Sequence, residues 1–191
     1  SISNKDGIIE IPFQNEQGAA IAAEAYSRIT GKLGVAIATS GPGMVNLIQG
    51  IACAYFDSIP TLYIVGAPPT NHLKNGRQIR QLGFQEMDVV KMLNPVTKYC
   101  VTITDPFKIR YELEKMLYMA VSGRKGPVVL DLPDDLQRAE INPNQLVGFV
   151  PPVEKIKIND IENAINQTIG LIKYAERPLI IIGAGVKFGN A

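Results

Sequence analysis

The chain has 191 residues, 46% of them hydrophobic and 19% charged, and a formal net charge of +1. That balance favours a globular protein with a substantial core over a disordered one, and the lack of any basic run speaks against nucleic acid or an anionic membrane as partner. No apolar stretch reaches the roughly eighteen residues a membrane helix needs, nothing at the start reads as a signal peptide, and two cysteines far apart, Cys53 and Cys100, suit neither a zinc site nor a disulfide framework. Both are expected as buried thiols, and the cytoplasm as the compartment.

In chain order the pattern predicts a strand over 8–13, a helix over 16–30, a strand over 34–39 and a helix over 44–55. A strand over 61–66, a helix over about 86–92, a strand over 97–101, a helix over 105–121 and a strand over 127–132 follow. Several strands are almost continuously apolar, as strands buried on both faces are. Strand–helix alternation implies an α/β fold: a parallel sheet with helices on both faces and right-handed crossovers. The alanine-dense segment 18–25 permits close approach of another backbone. The segment 44–55 is apolar on nearly every face, so it is expected to meet the sheet on one side and a second subunit or domain on the other.

Near residue 140 the character changes. Asn-Pro and Pro-Pro with no sustained period mark 141–160 as a linker between a first domain, 1–140, and the start of a second α/β domain, 161–191. That second piece is read as a helix over 161–174, a strand over 178–182 and Gly183-Ala184-Gly185 with no helix after it. It is too short to bury a core, so it is expected to be the truncated start of a domain.

Open parallel sheets bind ligands beyond the carboxyl ends of their strands. Three loops fall there, 14–18, 40–46 and 66–69, and a further loop, 83–86, opens the next helix. Glu16 sits where strand becomes helix, a position that suits a helix-start carboxylate as well as a functional one. Ser40-Gly41-Pro42-Gly43 suits either a phosphate-cradling loop or a plain tight turn, and it lacks the Lys-Ser/Thr ending of a P-loop. His72, the single histidine, lies in a polar loop and reads as solvated, which disfavours a Ser-His-Asp triad. Asp134 and Asp135 follow a strand end and read as a solvated turn. Asn166-Gln167-Thr168 fits the glycosylation pattern but sits inside a helical stretch.

Taken together, three motifs resemble a known family. Asn15-Glu16-Gln17-Gly18-Ala19-Ala20, Ser40-Gly41-Pro42-Gly43-Met44-Val45-Asn46 and Gly83-Phe84-Gln85-Glu86, in this order and spacing, resemble the N-terminal pyrimidine-binding domain of thiamine-diphosphate enzymes, acetolactate synthase in particular. Asp57-Ser58-Ile59-Pro60 and Gly126–Pro133 extend the resemblance over about residues 8–140, and Arg177–Gly183 resembles the start of the family's central domain. Asn15 stands where the family often has histidine. The family's first strand and turn would fall upstream of residue 1, and Gly-Asp-Gly followed by asparagine, the diphosphate and magnesium motif, occurs nowhere in these residues.

The resemblance implies thiamine diphosphate as cofactor, with magnesium held through a domain absent from this chain; whether FAD also binds is left open. It implies decarboxylation of a 2-oxo acid and transfer of the resulting acyl-anion equivalent. Glu16 would be the catalytic acid, hydrogen-bonded to the aminopyrimidine ring nitrogen para to the exocyclic amine, and burial is expected to raise its pKa. Thr39, Pro42, Asn46 and Gln85 would line the cofactor or substrate pocket. The partners implied are the 2-oxo acid substrate and the diphosphate-binding domain of a second subunit in a homo-oligomer, so this chain alone is expected to be inactive. Another thiamine-diphosphate decarboxylase or carboligase, or a non-catalytic assembly module of the same fold, suits the same residues.

Overall fold

A computed structural model describes residues 6–153 and 158–189. The ends of the chain and residues 154–157 of the expected linker lie outside the described residues. The described residues form two compact units that divide after Pro151.

The first unit is built on a four-stranded sheet. Helix α1 (Glu16–Thr30) leads into β1 (Gly34–Ala38), α2 (Pro42–Phe56) into β2 (Thr61–Ala67), α3 (Val89–Leu93) into β3 (Tyr99–Thr102), and α4 (Ile109–Val121) into β4 (Val128–Pro133), with the short α5 (Asp134–Gln137) following at once. The strand order is β1-β2-β4-β3 and every pairing is parallel. Gly34 lies opposite Thr61, Leu62 opposite Val128, and Tyr99 also opposite Val128. Helices cover both faces, so the expected α/β parallel architecture is present.

Alternation along the central strands sorts the core into two layers. Tyr63, Val65 and Val129 face α1, α2 and α3, where they meet Ala20, Met44, Leu47, Ile51 and Leu93. Leu62, Val128 and Leu130 face α4 and meet Met116 and Ala120. Met44, Leu47, Ile51, Tyr63 and Met116 are wholly buried. Full burial of each aliphatic side chain among them contributes roughly 1.5–3 kcal/mol.

The alanine-dense stretch of α1 does allow close approach. A Cβ added at Gly50 of α2 would lie 2.5 Å from Ala20 Cβ, and one at Gly34 only 1.9 Å from the Ala23 carbonyl oxygen. The far ends of α1 and α2 are pinned by charge. Arg28 donates to buried Glu24 through Nε at 2.9 Å and to Asp57 Oδ2 at 2.5 Å, while the Ser27 hydroxyl donates to the Pro60 carbonyl at 2.6 Å. These contacts fix the relative position of the two helices whose N-terminal ends carry Glu16 and Asn46.

Several expectations change in detail. Residues 8–13 pair with no strand, and Ile8, Ile9, Ile11 and Phe13 are exposed. A strand is made by its partner, and Pro12 also lacks an N–H to offer one. The helix expected over 86–92 begins only at Val89, capped by Asp88, because Glu86 is engaged in the loop before it. Cys100 is buried, but Cys53 is exposed on α2. That helix keeps one uncovered stripe, with Pro42, Val45, Asn46, Gln49, Cys53 and Phe56 facing outward. Asp135 is not a free turn residue: its carboxylate accepts from the Thr70 N–H at 3.0 Å and the Thr70 hydroxyl at 2.5 Å.

Residues 143–149 lie along α4. Glu114 accepts from the Phe149 N–H at 2.7 Å, Arg110 donates to the Leu146 carbonyl at 3.3 Å, and the Phe149 ring sits 5.6 Å from both Tyr111 and Tyr118.

In the second unit, α6 (Ile158–Tyr174) carries an exposed apolar row at Ile161, Ile165, Ile169 and Ile172. Residues 178–182 are exposed and pair with no strand among the described residues. Gly183-Ala184-Gly185 is followed by a short helix, α7 (Ala184–Phe188), against the sequence expectation. Among the described residues no helix is long and apolar enough to cross a membrane.

Candidate cofactor and substrate site

The carboxyl ends of β1 and β2 and the first turns of α1 and α2 converge at one edge of the sheet. Asn15 caps α1: its backbone is extended, and its side-chain oxygen accepts the Gly18 N–H at 2.7 Å. Glu16 is therefore set at the first helical position, half-buried. Its Oε2 accepts from the Asn46 side-chain amide at 3.0 Å. Asn46 reaches it because Pro42 starts α2, with its ring occupying a first-turn position that needs no N–H.

The turn between β1 and α2 leaves no room for larger residues. Gly41 has φ +63°, and a Cβ there would sit 2.7 Å from Gln85 Cβ and 2.9 Å from the Gln85 carbonyl. A Cβ on Gly43 would lie 2.7 Å from Thr39 Cγ2 and 3.3 Å from Glu16 Oε1. Glu16, Asn46 and Thr39 thus gather around Gly43, Pro42 stands between the two glycines, and Gln85 closes on the turn from the other side. All five residues singled out in the sequence meet at this turn.

The acidity of Glu16 differs from expectation. The Asn46 amide, then its own backbone N–H, hold the carboxyl below the usual carboxylate range, and burial opposes them only weakly. In this chain Glu16 is not shut away from solvent, so the expected upward shift does not occur.

On the far side of the turn lies an open cleft of about 540 Å³. Thr39 and Ser40 line it from the end of β1, Gly66 to Pro69 from the end of β2, and Phe84 and His72 from the long loop between β2 and α3. Glu16 does not line it. His72 is exposed, as expected for a polar loop.

The turn glycines and Glu86 were not singled out individually in the sequence. The Gly-Pro-Gly spacing is the signal for the former. For Glu86 there is none but its motif, because its partners are backbone N–H groups: Lys74 at 2.6 Å, Leu82 at 2.7 Å and Gly83 at 3.4 Å. Burial pushes this carboxyl up, but those three N–H groups and the Lys74 charge outweigh burial and leave it below the usual range.

Among the described residues no three His, Cys, Asp or Glu side chains are grouped to hold a metal ion. The donor set suits the nitrogen of a flat heteroaromatic ring: the half-buried Glu16 carboxyl, held through Oε2 by the Asn46 amide, can share a proton with it.

Residues 1–92 match the family described as thiamine pyrophosphate enzyme, N-terminal TPP binding domain. The chain is 36% identical over 186 residues to the acetolactate synthase of Arthrospira platensis, covering 93% of this chain and 30% of that protein. It is 37% identical over 177 residues to the acetolactate synthase large subunit of Corynebacterium glutamicum, covering 91% and 27%. A probable acetolactate synthase large subunit of Methanocaldococcus jannaschii is 35% identical over 192 residues, covering 96% and 31%. The chain therefore spans about three-tenths of the length of these relatives. With the sheet, the turn and these likenesses in agreement, the chain belongs to the thiamine-diphosphate-dependent enzyme family, whose N-terminal cofactor-binding domain it carries, and it is acetolactate-synthase-like.

Proposed function

We propose that this chain supplies the pyrimidine-binding half of an active site that decarboxylates a 2-oxo acid and transfers the acyl-anion equivalent to an acceptor. The observation that carries the reading is the Glu16–Asn46 pair at the glycine turn, in a domain of this family. Bound thiamine diphosphate would supply an electron sink for carbanion chemistry.

Glu16 holds a proton against the nitrogen of the bound pyrimidine ring. Asn46 fixes which carboxyl oxygen faces the ring, since Oε2 is already taken by its amide. Thr39, Pro42 and Gln85 give the pocket its walls. A partner that covers the turn would exclude water and raise the carboxyl from its present low value, because desolvation disfavours the charged form. The uncovered stripe of α2 begins beside Asn46 and supports such a partner: the diphosphate-binding domain of a second subunit, which would also hold magnesium. The cytoplasm is the proposed compartment.

The test is product analysis of the complete protein with thiamine diphosphate, magnesium and pyruvate. Carbon dioxide release together with acetolactate supports the reading. Carbon dioxide with an aldehyde alone reassigns the protein to a simple decarboxylase. No cofactor-dependent turnover of any 2-oxo acid leaves the assembly-module reading standing.

A further inference from the structure

We propose that Glu86 is a positioning residue, whose carboxylate fastens both ends of the loop over 74–83 and thereby holds Gln85 in place against the Gly41 turn. This rests on the functional reading above and deepens it.

One oxygen of Glu86 accepts from the N–H of Lys74, and the other from those of Leu82 and Gly83. A single side chain thus ties the start of the loop to its end. Between them the chain is exposed and carries two left-handed turn residues, Asn75 and Gly76. A loop of this kind has little else to order it, and charge-assisted bonds to backbone N–H groups are the strong kind.

Gln85 immediately precedes the clamp and has φ +53°, a left-handed conformation that a residue with a side chain holds only when its surroundings impose it. Two constraints impose it here. Glu86 fixes the chain on one side, and its N–H also donates to the Gly83 carbonyl at 3.3 Å. The Gly41 backbone presses on the other side, so closely that no Cβ would fit. Gly83 is equally tight against Pro68. The three loops at this edge of the sheet are therefore registered to one another, and Glu86 is the only carboxylate among residues 66–86. Loss of the clamp lets Gln85 leave the left-handed region and retreat from the pocket wall.

The experiment uses the complete protein as wild type, Glu86→Gln and Glu86→Ala. Trypsin cleavage after exposed Arg77 and Arg80 reads the loop, KM for the 2-oxo acid reads the position of Gln85, and proton exchange at the thiazolium carbon with saturating cofactor reads Glu16. Glu86→Ala is expected to speed cleavage about tenfold and raise KM about ten- to a hundredfold, the cost of a misplacement near 1 Å. Exchange should stay within about twofold. Glu86→Gln, which retains one acceptor oxygen, should fall between. Unchanged cleavage would overturn the clamp, and faster cleavage with unchanged KM would overturn the positioning role. Failure of the functional reading looks different: wild type itself would then turn over no 2-oxo acid, and the proposal would fall with it.

Discussion

Asp131 lies in the central strand β4, 3% exposed, where it faces the same layer as Val129. One carboxyl oxygen accepts the Thr102 hydroxyl at 2.7 Å, and the other has no hydrogen-bond partner. Burial pushes its pKa up to about 6 from an ordinary 3.8; the Thr102 hydroxyl works against the shift, and the Asp88 charge adds to it. A carboxyl raised in this way binds its proton more tightly in the folded chain than in the unfolded one. Between about pH 4 and about pH 6 the folded state then holds more protons, so stability falls as pH rises through that window. At about 1.4 kcal/mol per unit, a shift of about two units makes the loss on the order of 3 kcal/mol, complete at neutral pH. Asp131→Asn removes the titration. Its amide also places two N–H groups where one oxygen had no partner, which adds a constant offset of about 1–3 kcal/mol but no pH dependence. Urea unfolding of both proteins from about pH 4 to about pH 8 separates the two effects: the wild type should lose roughly 3 kcal/mol relative to Asp131→Asn as pH rises. Parallel curves across that range would refute the reasoning.

The close contact of α1 with α2 predicts that Gly50→Ala costs about 1–3 kcal/mol of unfolding free energy by overpacking against Ala20, read as a lower urea midpoint. Asn46→Ala removes the main cause of the lowered Glu16 pKa, so NMR titration should find the Glu16 carboxyl moved up toward its ordinary value, and an unmoved carboxyl would count against the Glu16–Asn46 bond. The two thiols should differ in reactivity. In this chain without a partner, exposed Cys53 should react promptly with a thiol reagent at neutral pH, whereas Cys100, buried and pushed up to about 12, should react only on unfolding.

The parallel sheet was legible because its inner strands β2 and β4 are buried on both faces, which writes nearly continuous apolar runs at 61–66 and 127–132; β1 at the sheet edge is also apolar, although Val35 and Ile37 are half exposed. The runs at 8–13 and 178–182 read just as clearly and form no strand. A run records the capacity to pair, whereas pairing depends on a neighbour elsewhere in the chain or outside it. Cys53 was misread for a related reason. Its helix is apolar all round, and sequence alone does not say which side meets the sheet.

The site was legible as motifs, but its geometry was not. Glu16 announces itself by standing at a helix start, yet its bond to Asn46 joins residues thirty positions apart. The tight fit of Gly41 against Gln85 joins two loops through backbone contacts, which leave no pattern of side-chain types. The lowered pKa of Glu16 follows from its amide partner and its access to solvent, and the sequence carries neither.

The central claim is that Glu16 is an acid–base group directed at the cofactor's pyrimidine ring. It is tested most directly by the rate of proton exchange at the thiazolium carbon in the complete protein, wild type against Glu16→Gln, with thiamine diphosphate saturating. The glutamine keeps the size of the side chain and an oxygen for Asn46, but it has no proton to give the ring. The account predicts exchange slowed by about a hundred- to ten-thousandfold in Glu16→Gln. Equal rates in the two proteins would contradict it and leave Glu16 as a helix-start residue.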